Sequence, residues 1–220
     1  VAYKEAAELR EKGFLTSSCC PAFVDYVEKN FPEQAHLISE TPSPMVMAAR
    51  YIKQRDPGGK VVFIGPCVAK KKEFRLGKTM GAVDCVLTFE ELYALFESRG
   101  LDVAQLEDTE LDQASGYGRT FARSGGVAAA VAEALKEQGS DFALKANPCS
   151  GFEACKLAFL KAAKGVGDFN FIEGMGCEGG CVQGPAQLIR SPRNQGDVER
   201  HARQAEGRTI QNAVEAAQGT

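Results

Sequence analysis

Residues 61–74 read VVFIGPCVAKKKEF, an apolar, β-branched run cut off by Gly65-Pro66 and followed at once by a cysteine and three lysines. A short apolar run bounded by turn residues reads as a buried strand of the kind parallel sheets are made from. A strand over residues 60–64 is expected, with Cys67 presented from the turn at its C-terminal end. Either side of this segment the pattern alternates. Val83 to Leu87 looks like a second strand, and Thr88 with Glu91 forms a capping box for a helix over 89–99. Ser43-Pro44 starts a helix running to about Arg55. Pro21 is placed to be the first residue of a helix through Asn30, where its missing N–H costs nothing. The first helix covers about residues 2–12 and ends at Gly13.

The second half repeats the theme. Residues 102–120 are acidic and rich in Gly and Ser, which reads as a surface loop leading to an Ala-rich helix from Gly126 to Gln138. Phe142 to Ala146 is expected as a strand. Ser150 and Glu153 are expected to cap a helix that stops at Gly165, and Phe169 to Ile172 is a further strand candidate. The polar tail after Arg190 reads as helical, with Gly207 as a weak point. Alternating strands and helices define an α/β protein.

A chain of 220 residues with 44% hydrophobic and 25% charged residues can bury a real core in one good-sized domain or two intertwined lobes. Its apolar runs fall far short of the roughly 18 residues a membrane span requires, and its charged start is unlike a signal peptide. The expected compartment is the cytoplasm. A net charge of −3 with interspersed signs supplies no basic face, so no nucleic-acid partner is expected.

Eight cysteines remain to be explained. Disulfide scaffolds are usually short, secreted and loop-rich, so reduced thiols or metal thiolates are the better reading. Cys20 lies in TSSCCPAF (16–23), Cys67 in the segment above, and Cys177 and Cys181 in EGMGCEGGCVQGP (173–185). All four sit in turns rich in Gly or Pro and together look like a ligand set for an iron-sulfur centre. The turn Glu178-Gly179-Gly180 can aim two sulfurs at one point, for which zinc is the alternative. A lone Cys67 would otherwise be core packing. Cys85 reads as a buried small hydrophobe, and Cys149 and Cys155 as structural.

The three segments, in this order and spacing, resemble the signature segments of the iron-iron hydrogenase large subunit, C-terminal catalytic domain. Ser43-Pro44-Met45 and FARSGGV (121–127) add to the resemblance, which extends from about Cys19 to Pro185. It implies two intertwined α/β lobes with the metal site in the cleft between them, residues 1–190 forming that domain and 191–220 a helical tail. It further implies that Cys20, Cys67, Cys177 and Cys181 hold a 4Fe-4S cluster. Cys181 would also bridge to a two-iron subsite bearing CO, cyanide and an azadithiolate. Cys19 would relay protons, with Ser39 on the same route, and Lys70 would donate to a cyanide. Pro44, Phe121, Gly125 and Met175 would line the two-iron pocket. The implied activity is interconversion of dihydrogen with protons and electrons, with a separate ferredoxin-like electron carrier and cofactor-maturation proteins as partners.

Some positions depart from the family pattern. Gly65 stands where methionine is usual and is expected to open space beside the two-iron unit. Met45 replaces a glutamine, Phe23 a tryptophan, and VQGPAQ shortens a Gly-rich ending. A glutamate of the proton route would fall near Ala2, and the family segment upstream of TSSCC is expected to be missing. TSSCCP and Gly65 look more like the sensory branch. A slow hydrogen-sensing module, or a hydrogenase-like 4Fe-4S protein without the two-iron unit, are the alternatives.

Overall fold

The computed structural model describes residues 1–109, 114–205 and 209–219. The chain opens with α1 (Ala2–Lys12), closed by Gly13 at φ 74°, followed by β1 (Leu15–Thr16) and α2 (Pro21–Asn30), in which Pro21 takes the first turn. Next come α3 (Pro44–Arg55), β2 (Val62–Gly65), α4 (Lys70–Glu73), β3 (Cys85–Thr88) and α5 (Phe89–Ser98). The capping box between Thr88 and Glu91 forms as the sequence predicts. Beyond a single 3-10 turn lie α6 (Gly116–Arg119), α7 (Gly126–Glu137), β4 (Ala146–Ser150), α8 (Phe152–Ala163) and β5 (Phe171–Met175). The tail carries α9 (Arg193–Arg203) and α10 (Ile210–Gly219), and Gly207 lies outside the described residues.

Two parallel sheets result. One has the order β1-β5-β4, with Leu15 opposite Phe171 and Cys149 opposite Gly174; the other pairs β2 with β3, Val62 opposite Cys85. In the central strand β5, side chains alternate between faces. Phe171 and Met175 pack with Ala6 and Leu9 of α1 and Val127, Val131 and Ala134 of α7, while Ile172 faces Phe23 and Val27 of α2 and Phe159 of α8. Burying each such side chain contributes about 1.5–3 kcal/mol. Gly174 is required on the α2 side, because an added Cβ would lie 2.1 Å from the ring of Phe23. In the second lobe, Met45, Val46 and Ala49 of α3 pack on Val61, Val83 and Val86.

Three details differ from the sequence reading. The expected strand at 142–146 forms later, at Ala146–Ser150, while Phe142 and Leu144 pack against the core without joining a ladder. Pro148 is tolerated inside β4 because this edge strand pairs on one side alone. Ser150 does not cap α8; Gly151 does, at φ 85°, its N–H donating to Met175 O at 2.8 Å. Finally, β2 is not buried on both faces, since Val62 and Ile64 are exposed in a two-stranded sheet.

Candidate iron-sulfur site

All three cysteine segments leave the C-terminal ends of parallel strands: Cys20 after β1, Cys67 after β2, and Cys177 and Cys181 after β5. That edge is where α/β sheets gather ligands, because the backbone there turns free N–H groups toward the crevice. The Cys20 sulfur accepts from the Gly176 N–H at 3.4 Å, which joins the first segment to the third. The Cys67 sulfur accepts from the backbone N–H groups of Lys70 and Ala69. Gly179 and Gly180, at φ 79° and 94°, fold the turn between the last two cysteines.

All eight cysteines are free thiols. Burial pushes Cys181 up to about 12, and the charges of Cys20, Cys67 and Cys177 add to it. Burial likewise raises Cys177, with Cys20 and Cys67 next, and raises Cys67, where Cys20 also contributes. The four sulfurs therefore share one electrostatic neighbourhood. Among the described residues no three Cys, His, Asp or Glu side chains close tightly enough to hold a single ion. Four cysteines in turns rich in Gly or Pro are the donor set an iron-sulfur cluster takes, each thiolate holding its own corner. Cys149 and Cys155 are buried in the α2/α8 core, burial pushing them up to about 11 and about 12, as inert packing thiols are.

Cys19 is half-buried, its sulfur 3.8 Å from the Ser17 hydroxyl. Burial raises its pKa well above the usual thiol value, followed by the charges of Glu5, Cys20 and Cys181. Lys70 is buried, unlike its neighbours: its Nζ donates to Cys19 O at 3.1 Å and to Glu73 Oε2 at 2.7 Å. Lys71 and Lys72 instead pair at the surface with Glu91 and Asp25.

Ser39 Oγ donates to Glu8 Oε2 at 2.6 Å and accepts from Thr41 N–H at 3.1 Å. Glu8 reaches the surface, where Lys12 donates to it at 2.8 Å. Burial acts to raise Glu8, but hydrogen bonds from Lys12, Ser39 and the Glu40 N–H outweigh it and hold its carboxyl below the usual range. One turn earlier, Glu5 is fully buried. Its Oε1 accepts from Ser18 N–H at 3.4 Å and its Oε2 has no hydrogen-bond partner among the described residues. Burial lifts Glu5 to about 7 despite the Ser18 N–H and the amino terminus, and Glu8 and Glu173 add to the rise.

The sequence marks α1 as a charged helix without singling out these two carboxylates. The carboxylate bonded to Ser39 is that of Glu8, and the one whose charge acts on Cys19 is that of Glu5.

The pocket-lining candidates occupy different elements. Met175 ends β5 in the core, Phe121 packs against the same core, and Gly125 caps α7 at φ 83°. Pro44 opens α3 in the other lobe, half-buried. A cavity of about 780 Å³ is bordered by Ser18, Ser39, Thr41, Ser43, Ala69 and Glu73, but by none of these four candidates and by no cysteine. Gly65 does not leave the expected opening. A Cβ there would lie 2.9 Å from Phe63 Cε1, so the phenyl ring, on the same strand face two residues earlier, already covers the position.

Comparison with known proteins identifies the family. The periplasmic [Fe] hydrogenase large subunit of Nitratidesulfovibrio vulgaris is 30% identical over 215 residues, which is 79% of this chain and 51% of that protein. The cytosolic iron-sulfur assembly component 3 of Rattus norvegicus is 26% identical over 88% of this chain and 51% of its own length. This chain thus spans about half of each relative. A variant of apo [FeFe]-hydrogenase HydA1 from Chlamydomonas reinhardtii shares the fold, with a TM-score of 0.72 at 20% identity over 100% of this chain and 76% of that one. Among the described residues no helix is long and apolar enough to cross a membrane. Residues 1–185 match the family described as iron only hydrogenase large subunit, C-terminal domain, and the chain is a member of that hydrogenase-like iron-sulfur family.

Proposed function

We propose that this chain is a hydrogenase domain, formed by residues 1–190 with 191–220 as a helical tail, that interconverts dihydrogen with protons and electrons. Cys20, Cys67, Cys177 and Cys181 would hold a 4Fe-4S cluster, with Cys181 also meeting a two-iron subsite bearing CO, cyanide and an azadithiolate. When bound, that centre would supply heterolytic cleavage of dihydrogen and storage of the electrons; this chain's side chains supply binding, orientation and the proton route.

Lys70 is suited to anchor an anionic ligand. Its ammonium has three donors, of which one is engaged by Cys19 O and another by Glu73, leaving one for a cyanide. The thiol of Cys19 stays protonated at neutral pH because burial and neighbouring acids raise it, so it can hold a proton at the pocket and pass it on. Glu5, poised at about 7, can take up and release that proton. Nearer the surface Ser39 Oγ donates to Glu8, a hydroxyl-to-carboxylate step that can move a proton outward. The bonds from Ser18 Oγ to Thr41 O and from Thr41 N–H to Ser39 Oγ pass through two separate peptide groups and hold these side chains in place without carrying a proton. Pro44, Phe121, Gly125 and Met175 would form the apolar wall that keeps water from the bound gases. Electrons would come from a ferredoxin-like carrier, and maturation proteins would load the two-iron unit.

The observation that carries this reading is the Lys70 to Cys19 hydrogen bond beside the four coupled thiols. A bare cubane needs neither a thiol proton relay nor a cyanide partner, which weighs against a pure assembly role. The ring of Phe63 over Gly65 favours, as second reading, a slow or sensing hydrogenase, because it remodels a position beside the cluster.

Anaerobic reconstitution with iron, sulfide and a synthetic two-iron precursor tests both. The expected result is infrared bands of metal-bound carbonyl and cyanide together with dihydrogen turnover. Bands without turnover would select the sensing role. A cubane signal with no bands would exclude both hydrogenase readings and leave the assembly-type protein.

A further inference from the structure

Glu173 lies fully buried in β5, on the face that carries Phe171 and Met175 toward α7. A carboxylate inside a strand is expensive to bury without donors, and here the backbone provides them. Its Oε1 accepts from the Gly125 N–H at 2.9 Å and its Oε2 from the Ala128 N–H at 2.8 Å. Burial raises its proton affinity, opposed by the amides of Ala128, Gly125 and Val127 and by the charge of Arg123. A serine or aspartate at the helix's own N-cap would satisfy the Ala128 amide. Gly125 occupies that cap instead, at φ 83°, where a side chain would be strained, so the cap is delivered from a different strand.

The segment this carboxylate grips does more than begin α7. Residues 121–127 are bonded to the turn between Cys177 and Cys181: Ser124 N–H donates to Gly179 O at 3.2 Å, and Val182 N–H to Ala122 O at 2.8 Å. The two pieces are in such close contact that a Cβ on Gly180 would lie 2.6 Å from Ser124 N. Glu173 stands four residues before Cys177 on the strand that feeds that turn. The connection is therefore closed: strand to carboxylate, carboxylate to loop, loop to cysteine turn, and turn back to strand.

We infer that Glu173 is a positioning residue that sets the 121–127 loop against the Cys177–Cys181 turn, so that one wall of the pocket and the last two cluster ligands are held as a unit. The pocket half of this inference rests on the proposed hydrogenase function; the holding of loop against turn does not. Glu173 touches no reacting group and would act through Gly125, Ala128 and the peptide units they anchor.

Amide hydrogen exchange on the 220-residue chain, metal-free and reduced, tests it first. In Glu173→Gln one backbone donor loses its acceptor, and a hydrogen bond to a charged group is replaced by a weaker neutral one. Exchange at Gly125 and Ala128 should quicken by about tenfold or more. The decisive sites are Ser124 and Val182, which do not bond to Glu173 and should also quicken, while α2 amides should not change. Wild-type exchange at Ser124 and Val182 in the variant overturns the inference. Should Glu173→Gln not fold, Ala128→Pro keeps Glu173 and removes one donor in the first turn, where proline is accepted; the same pattern at Ser124 and Val182 is expected, and its absence overturns the inference equally. In a second arm, protein reconstituted with the two-iron precursor should give shifted or broadened carbonyl and cyanide bands in Glu173→Gln but sharp bands in wild type; identical bands overturn the pocket half. If wild type itself gives no bands, the hydrogenase reading fails and takes the pocket half with it, while the exchange arm still decides the loop-to-turn role.

Discussion

Replacing Glu5 by Gln should change how stability depends on pH more than how large it is at any one pH. Glu5 is fully buried and ionises at about 7 in the folded chain, against 4.5 for a free glutamate. Between those values the folded state keeps a proton the unfolded chain has released, so wild-type stability falls as pH rises from 4.5 to 7 and this contribution is flat above. At about 1.4 kcal/mol for each pH step, the whole fall is about 3 kcal/mol. Glutamine cannot ionise and does not share it. Its amide beside the orphaned Oε2 position adds a cost of about 1–3 kcal/mol, which is independent of pH and enters as a constant offset. Urea unfolding of the metal-free, reduced protein at pH 5 and pH 8 should therefore show the variant gaining about 2–3 kcal/mol on wild type at the higher pH, with unchanged denaturant slope. A gap that stays constant across this range would refute the burial argument, and with it the role of Glu5 as a proton store tuned to neutrality.

Three further outcomes are expected. Lys70→Ala strands the buried carboxylate of Glu73 and should cost about 3–5 kcal/mol by urea unfolding, much of it recovered when Glu73 is also replaced by Ala. Cys19→Ala should keep the 4Fe-4S absorbance yet lose hydrogen-deuterium exchange between dihydrogen and water in the reconstituted protein; loss of iron instead would show the ligand set is wrong. Thr88→Ala removes the capping box of α5 and should lower stability by about 1 kcal/mol without affecting iron content.

Much of the N-terminal half could be read from local chemistry, because its helices announce their ends. Pro21 and Pro44 start α2 and α3, Gly13 closes α1, and Thr88 with Glu91 opens α5; each signal acts within four residues and does not depend on the rest of the fold. Strand β4 was less legible, since Asn147-Pro148 argues against a ladder unless the strand is known to lie at an edge. The cysteine ligand candidates, Lys70 and Ser39 were singled out by motif resemblance, and their grouping depends on contacts across 150 residues that no local pattern carries. Glu5 and Glu173 escaped for the same reason. A glutamate in an amphipathic helix or next to a glycine gives no hint of burial until α7 closes over both.

The cysteine segments come from two sheets with separate cores, Cys20, Cys177 and Cys181 from the three-stranded one and Cys67 from the two-stranded one. An inorganic centre gripping all four would act as a rivet through the seam between the halves. Iron loading then becomes a mechanical event as well as a chemical one: the seam should resist proteolysis after loading and part first when the metal is stripped, ahead of melting in either half.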